Sequence, residues 1–359
     1  MSQSGNDARM IGRVSDGKIV QPKRQLAMVF DLNKCLGCQT CTIACKRLWT
    51  RNAGQEQMWW ATVNTAPGRG TPKDWEKMGG GFNANGQAQP GKLPTDGEFG
   101  EAWKFNYREV FYDGKGESAV LTPDPAPQWG PNWDEDMGAG EYPNSYFFYL
   151  PRICNHCTHP ACLNACPRSA ISKRPEDGIV LIDQDRCKGY RFCMEACPYK
   201  KIYYNQALKV SQKCIFCFPR VDKGVAPACV RQCPGRVRFC GYLDDPKGPI
   251  HKLVKQWKVA LPLHPEFNTL PNVYYVPPLS PPILNSDGDA EESKPRVPEK
   301  YLEYLFGPDV HPALATLRAE MEKRRHGGKS ELVDLLVVYR WPNDIFPDLA
   351  KDPATLRWT

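Results

Sequence analysis

The chain has 359 residues, a formal net charge of +7 and sixteen cysteines. Fifteen of the cysteines lie in four tight runs, and Cys240 stands apart. Disulfide scaffolds of this density belong to short secreted chains, so both the length and the clustering argue against one. The charge is modest, and no helix–turn–helix or basic–aromatic pattern supports nucleic-acid binding.

The first 24 residues are polar and rich in Gly, Ser and Asp, which predicts an extended N-terminal arm. They hold no apolar signal-peptide core. No apolar run in the chain approaches the ~18 residues of a membrane span, so we expect no direct membrane insertion. A strand is predicted over 25–32, and a helix is predicted to end near Trp49 after the first cysteine run.

The first cysteine run has the spacing C-x-x-C-x-x-C-x-x-x-C, the pattern of bacterial ferredoxins. Cysteines three apart on a curled loop cover neighbouring iron corners of a cubane as thiolates. The fourth cysteine points away and ligates the other cluster of a two-cluster module. Structural zinc is the competing interpretation, but zinc sites use separated pairs of cysteines.

Residues 51–149 contain no cysteine and are rich in Gly, Pro and Asn. Their weak helical periodicity predicts a loop-rich insertion. Tryptophans throughout the segment indicate that the insertion is ordered rather than disordered. These tryptophans are Trp59, Trp60, Trp75, Trp103, Trp129 and Trp133.

The second and third runs together supply seven cysteines, because Tyr190 occupies the second position of the third run. Two cubanes need eight thiolates, so we predict one 4Fe–4S and one 3Fe–4S cluster here. The ring of Tyr190 is expected to fill the missing corner and to shield the cluster from water. A hairpin is predicted between the two runs, over 170–183.

A short strand over 201–205 precedes the fourth run, in which eleven residues separate the inner cysteines Cys217 and Cys229. The crossing rule then groups the fifteen cysteines into three 4Fe–4S sites and one 3Fe–4S site. The 4Fe–4S sites are A1 (Cys35, Cys38, Cys41, Cys233), A2 (Cys45, Cys214, Cys217, Cys229) and B1 (Cys154, Cys157, Cys162, Cys197). The 3Fe–4S site B2 is formed by Cys166, Cys187 and Cys193, with Tyr190 in place of the missing cysteine. Cys240 is expected to be a buried, inert thiol.

Many basic residues lie beside the cysteine runs, and they are either a solvated surface or cations that offset the charge of the clusters. They are Lys34, Lys46, Arg47, Arg152, Arg168, Arg186, Lys188, Arg191, Lys200, Lys201 and Lys213. The two histidines of the second run, His156 and His159, are expected to face solvent.

The C-terminal part contains no cysteine after Cys240. Residues 261–282 are rich in Pro and are predicted to be extended and laid over a surface. Helices are predicted over 297–306, 311–325 and 330–339, the last with Ser330 as its cap.

The pattern predicts an α+β chain with two bacterial-ferredoxin-like, two-cluster modules built from hairpins and short helices. Module A is discontinuous and comprises 25–50 and 201–250, whereas module B comprises 150–200. The remaining segments are the N-terminal arm (1–24), the insertion (51–149) and a Pro-rich, helical C-terminal extension (251–359).

The order of the four runs, the aromatic residue at position 190 and the long insertion resemble one family of iron–sulfur subunits. The chain is similar to the beta subunit of the type II branch of DMSO-reductase-family molybdoenzymes. That branch includes ethylbenzene and dimethylsulfide dehydrogenases and selenate, chlorate, perchlorate and nitrate reductases. The stretches that carry the resemblance are DLNKCLGCQTCTIACK, EYPNSYFFYLPRICNHC, WKVALPLHPEF and PNVYYVPPLSPP.

The resemblance implies an electron-transfer subunit without an active site of its own. Its partners would be a molybdopterin alpha subunit, which carries its own iron–sulfur cluster, and a haem b gamma subunit. We expect the complex to be a dehydrogenase of an alkylaromatic hydrocarbon or dimethylsulfide, with an oxyanion reductase as the alternative. The rival class is a free-standing polyferredoxin, which would not need the insertion and the extension.

The resemblance also implies a location, since relatives of this branch are mostly periplasmic. A folded cluster protein cannot be threaded unfolded through a membrane without losing its clusters. We therefore expect export as a folded passenger of the alpha subunit, with the cytoplasmic face of the membrane as the alternative.

Overall fold

A computed structural model describes residues 22–99, 106–114, 120, 138–340 and 343–349. Most of the predicted N-terminal arm and the predicted core residues Trp103, Trp129 and Trp133 lie outside these ranges. The described residues form a mixed helix and sheet structure, as the α+β prediction requires.

The strands are short, and most of them pair in two-stranded sheets. In chain order they are β1 (Leu26–Asp31), β2 (Thr62–Ala66), β3 (Phe148–Arg152), β4 (Ile171–Lys173), β5 (Val180–Ile182), β6 (Ile202–Asn205), β7 (Val210–Lys213), β8 (Arg238–Tyr242), β9 (Leu261–Pro262), β10 (Val273–Val276), β11 (Pro282–Leu284) and β12 (Ala290–Pro295).

The helices are also mostly short, and within the described ranges none of them is both long and apolar enough to cross a bilayer. They are α1 (Thr40–Trp49), α2 (Asp96–Phe99), α3 (Tyr107–Phe111), α4 (Ala161–Asn164), α5 (Phe192–Ala196), α6 (Phe218–Val221), α7 (Ala228–Arg231), α8 (Pro249–His251), α9 (Glu299–Phe306), α10 (Val310–Arg325) and α11 (Glu331–Val337).

The central sheet has the strand order β8-β1-β10-β9, and every residue of β1 is buried. Strand β1 pairs antiparallel with β8, which places Met28 opposite Cys240. On its other side β1 pairs in parallel with β10, which places Met28 opposite Val273. The strand predicted over 25–32 is therefore confirmed, and it forms the middle of the core.

The prediction that 261–282 lies over a surface is wrong. Val273, Tyr275 and Val276 of β10 are at most 1% exposed, and β10 hydrogen-bonds to β1 over four residue pairs. The run VYYV is β-branched and aromatic with no internal proline, so it is able to complete a buried strand. The surrounding prolines end the strand without removing a hydrogen bond from it.

The local predictions around the cysteine runs are confirmed. Strands β4 and β5 form the hairpin predicted over 170–183, and β6 occupies most of the strand predicted over 201–205. Helix α1 ends at Trp49 as predicted. The three C-terminal helices α9, α10 and α11 lie where they were predicted, and the Ser330 hydroxyl accepts the backbone N–H of Val333 at the start of α11.

The insertion and the C-terminal extension share one hydrophobic core with β1 and the cysteine loops of module A. Trp60 and Trp75 of the insertion are 7% and 3% exposed, and β2 of the insertion pairs with β3. Leu305 of α9 and Leu314 of α10 are buried in the same cluster. The prediction that the tryptophan-rich insertion is ordered is confirmed for its described part.

A buried histidine joins the insertion to the C-terminal extension. His264 is 1% exposed, and its two ring nitrogens lie 3.0 Å from Glu76 Oε1 and 2.7 Å from Glu266 Oε1. The rings of Trp75 and Tyr304 pack edge-on against it, with centroids 5.4 and 5.2 Å away. Burial alone would lower the pKa of His264, but hydrogen bonds to Glu266 and Glu76 outweigh it and raise the pKa above its usual value.

This geometry predicts a loss of stability at high pH. Because the folded pKa of His264 is raised, its contribution is complete below the unfolded pKa and disappears as pH rises through the folded value. His264→Gln should lower the free energy of unfolding by about 2 kcal/mol at pH 6. It should also flatten the pH dependence of the thermal midpoint, measured on the cluster-loaded protein.

The matched control is His311→Gln. His311 also lies between two carboxylates, Glu299 and Glu303, but its side chain is 45% exposed. Exposed pairs of this kind contribute little, so this variant should melt like the wild type. Equal effects of the two substitutions would contradict the role assigned to His264.

Candidate iron–sulfur centres

Three cavities lie in the loops that carry the cysteine runs. Each is lined by four cysteines, three of which are close in sequence while the fourth comes from another run. The linings contain the predicted sets A1 (Cys35, Cys38, Cys41, Cys233), A2 (Cys45, Cys214, Cys217, Cys229) and B1 (Cys154, Cys157, Cys162, Cys197). In the described ranges no three His, Cys, Asp or Glu side chains are arranged to hold a single metal ion.

Site B2 brings together its three predicted cysteines without a fourth. The Cys193 thiol interacts electrostatically with both Cys187 and Cys166. Backbone N–H groups of Ala170 and Ser211 donate to the sulfurs of Cys166 and Cys187, each at 3.3 Å. These sulfurs are the atoms that would bind iron.

One backbone turn recurs in all four runs. The residue before the second position of each run has a left-handed φ: 67° at Gly37, 43° at His156, 66° at Gly189 and 54° at Phe216. This turn curls the loop so that its N–H groups face the sulfurs. The same turn precedes Tyr190, so the loop of B2 retains the ligand-loop shape although its second cysteine is absent.

The ring of Tyr190, which was expected to shield site B2 from water, lies at the protein surface. Its side chain is 57% exposed, and the neighbouring Phe192 is 49% exposed. The two rings lie side by side with centroids 6.4 Å apart. The loop runs along the protein surface before α5, so nothing in the described part of the chain covers these rings.

The buried thiols are suited to binding a positively charged group. Burial raises the pKa of Cys35 to about 11, and burial with repulsion from neighbouring thiols raises that of Cys157 to about 12. Such thiols stay neutral unless a cation and hydrogen-bond donors compensate their charge. Donors are present: the Trp49 indole N–H donates to Cys217 at 3.0 Å, and the Phe216 N–H to Cys214 at 3.4 Å.

Several basic residues beside the runs are buried rather than solvated. Of the alternatives left open by the sequence, the structure favours interior cations for Lys46, Arg152, Lys200, Lys201 and Lys213, all at most 2% exposed. Most of their hydrogen bonds go to backbone carbonyls rather than to carboxylates. Burial lowers the pKa values of Lys200 and Lys201, whereas the nearby thiols of Cys197 and Cys214 favour their charged forms.

His156 is also buried, contrary to the expectation that it faces solvent. It is 1% exposed, and its Nδ1 accepts the backbone N–H of Val180 at 3.1 Å. Burial lowers its pKa well below the usual value, and the nearby Lys213 and Lys173 add to this effect. A neutral histidine thus connects the second run to strand β5. The β4–β5 hairpin packs directly onto the ligand loop that carries His156. The position of His156 in a loop of the sequence did not indicate this packing.

The sequence did not single out Arg238, although it makes the most direct charged contact with a ligand. Its Nη2 donates to the Cys41 sulfur at 3.1 Å, and its side chain is fully buried. Burial would lower the pKa of Arg238, but the thiols of Cys41 and Cys229 reverse this and raise it. The available signal was its position directly after the last cysteine run, at the start of β8.

Electrostatic interactions between thiols of different sites indicate that the four sites lie in a linear order. Cys41 of A1 interacts electrostatically with Cys229 of A2. Cys214 of A2 interacts with Cys154 of B1, and Cys193 of B2 interacts with Cys197 of B1. The sites therefore follow one another in the order A1, A2, B1, B2.

Comparisons with known proteins identify iron–sulfur proteins that the chain is similar to. Residues 145–243 match the family model described as a 4Fe-4S dicluster domain. Selenate reductase subunit beta of Thauera selenatis is 58% identical over 88% of this chain and 97% of that protein. Chlorate reductase subunit beta of Ideonella dechloratans is 58% identical over 88% and 96%, and dimethylsulfide dehydrogenase subunit beta of Rhodovulum sulfidophilum is 55% identical over 89% and 98%.

The shape of the B2 loop predicts that one substitution changes the cluster type. Tyr190→Cys places a thiolate on a backbone that already has the ligand turn, so it should convert the 3Fe–4S cluster to 4Fe–4S and lower its potential. Low-temperature EPR of the oxidised protein should show the near-isotropic three-iron signal in the wild type and lose it in the variant. Anaerobically purified wild type should hold about fifteen irons in this chain.

Tyr190→Phe is the matched control, because it preserves the ring and adds no ligand. It should keep the three-iron signal and its potential. Persistence of that signal in Tyr190→Cys, or its absence from the wild type, would show that this residue does not set the cluster type.

Proposed function

The chain belongs to the family of iron–sulfur beta subunits of molybdoenzyme oxidoreductases, and we propose that it relays electrons between a molybdopterin alpha subunit and a haem b gamma subunit. As in its relatives, the chain is an electron-transfer subunit and has an alpha partner. The gamma partner and the count of three 4Fe–4S clusters and one 3Fe–4S cluster belong to the proposal. Their main support is the observation that three cavities are each lined by four cysteines while B2 has three.

An iron–sulfur cluster in each site would accept and release single electrons at a potential set by its surroundings. The protein's part is to hold the sites in sequence and to control their environment. The four cysteines of A2 are all buried, at 6–9% exposure, so water is excluded from the interior of the relay. The N–H donors and buried cations around each site stabilise the thiolates without moving protons.

The two ends of the order A1, A2, B1, B2 lie at the protein surface. At A1, Cys38 is exposed and the adjacent Leu36 is 68% exposed. At B2, the exposed rings of Tyr190 and Phe192 flank the site. A relay needs electron entry and exit at opposite ends, and this distribution of exposure supplies both.

The substrate of the complex is a separate part of the proposal. We infer from the sequence a dehydrogenase of an alkylaromatic hydrocarbon or dimethylsulfide. The relatives also support an oxyanion reductase, because subunits of selenate and chlorate reductases are as similar as that of dimethylsulfide dehydrogenase. Purified complex assayed with a dye acceptor and each hydrocarbon or sulfide, and with a dye donor and each oxyanion, would separate these two functions.

A free-standing carrier is disfavoured by the shared core of the insertion, the extension and module A. Size-exclusion chromatography of native material distinguishes it, since a carrier would elute alone. The location we propose is the periplasm, with the chain exported folded together with the alpha subunit. Recovery of the complex in the cytoplasmic fraction of spheroplasts would contradict that location.

The linear order predicts where the relay breaks. Cys217→Ala removes a ligand of A2 and should interrupt transfer between A1 and the B sites. In rapid-freeze EPR after addition of substrate to the complex, the sites on the alpha-subunit side of A2 should still respond within one turnover, while the sites on its other side should not.

Cys240→Ala is the control, because Cys240 is a fully buried cysteine that lines none of the three cavities. It should leave all four sites responding. A Cys217→Ala complex in which A1, B1 and B2 all still respond at the wild-type rate would rule out the order A1, A2, B1, B2.

A further inference from the structure

Arg238 lies between sites A1 and A2 and contacts both. Its Nη2 donates to Cys41 of A1 at 3.1 Å, and the guanidinium also interacts with Cys229 of A2. Two further thiols of A1, those of Cys35 and Cys233, also interact electrostatically with the guanidinium. One fixed cation is therefore shared by the ligands of two different sites.

The side chain is held rigidly in this position. Arg238 is the first residue of β8, where it pairs with Phe30 of β1. Its guanidinium carbon lies 4.3 Å from the centre of the Phe30 ring, and that ring packs edge-on against Tyr275 at 5.5 Å. The stacked ring below and the buried strands beside it fix the plane of the guanidinium.

One nitrogen of Arg238 has no partner in the protein. Its Nη1 is buried and makes no hydrogen bond to any described atom. A buried N–H without an acceptor costs about 1–3 kcal/mol, so natural proteins rarely leave one. The sulfurs of a bound cluster would supply the missing acceptors in a site that is otherwise apolar.

Lys201 provides an instructive comparison, because it interacts with thiols of A2 and B1. However, its Nζ is fully satisfied by oxygens: the Trp59 carbonyl, the Thr62 hydroxyl and the Tyr203 hydroxyl. Arg238 is different, since its side chain donates to ligand sulfurs, those of Cys41 and Cys229. The guanidinium of Arg238 therefore donates to the cluster sites rather than to the protein framework.

We propose that Arg238 is a positioning residue that donates to the sulfurs of A1 and A2 together and raises the reduction potential of both. The inference deepens the proposed relay and rests on it. A cluster held by four thiolates is anionic, and reduction adds one electron without a proton, so an adjacent fixed cation favours the reduced form. The guanidinium remains protonated throughout and no bond is made or broken.

The test is a mediated potentiometric titration of the purified complex, followed by EPR, with iron content measured in parallel. Arg238→Gln removes the charge and should lower the potentials of both A1 and A2. Each reduction equilibrium should weaken by at least tenfold, which corresponds to about 59 mV for one electron. B2, at the other end of the order, should keep its wild-type potential.

Two further variants make the result decisive. Arg238→Lys keeps the charge but loses the two-pronged donor, so one of the two sites should fall in potential more than the other. Arg152→Gln is the matched control, because Arg152 is an equally buried arginine whose donors go to the carbonyls of Thr71 and Tyr199 and to the Asn64 amide oxygen. It should leave A1 and A2 unchanged.

The proposal would be overturned if fully loaded Arg238→Gln showed wild-type potentials at A1 and A2, or a shift at only one of them. An equal shift in Arg152→Gln would also overturn it, since any buried arginine would then have the same effect. If Arg238→Gln fails to assemble its clusters, Arg238→Lys decides, and unchanged potentials at both sites would refute the shared contact. Loss of the relay order in Cys217→Ala would instead refute the proposed function while leaving this titration interpretable.

Discussion

Burial of sulfur that must carry negative charge is the constraint on which this structure depends. The protein places cysteine thiols in its interior, where burial raises the pKa of Cys229 to about 12 and that of Cys193 to about 11. The low dielectric of the interior makes such groups costly as anions unless positive charge and N–H donors surround them. The left-handed turns, the indole of Trp49 and the interior cations all meet this one requirement.

The buried cations create a second difficulty, because burying an ammonium or guanidinium group itself costs free energy. Lys46 is an example: burial lowers its pKa to about 7, and its Nζ is held by the backbone carbonyls of Gln55 and Met58. The dipoles of these carbonyls favour the ammonium form, and so do the nearby Glu56 carboxylate and Cys45 thiol, against the effect of burial.

Sequence spacing predicted a grouping of the cysteines, and the linings of three cavities contain three of the predicted groups, because the distance between ligands on a loop is a local property of the chain. It was also sufficient for the hairpin at 170–183 and the C-terminal helices, whose caps and periodicity are local. It failed where tertiary packing decides. The segment that forms β10 was predicted to lie on the surface, but it pairs with β1 in the core. His156 was predicted to face solvent, but β5 packs onto its loop and buries it. Arg238 is 197 residues from Cys41, and no local pattern connects the two.

The crossing of ligands between runs has a consequence for synthesis of the protein. Module B is complete once the ribosome has passed Cys197, because all its cysteines lie between 154 and 197. Module A begins with Cys35 but lacks its last ligand until Cys233, and its central strand β1 also waits for β8 and β10. The first cysteine run therefore emerges early and remains open while about two hundred residues follow it. Closure of module A therefore brings the first cysteine run and β1 together with segments synthesised much later, and this step completes the fold.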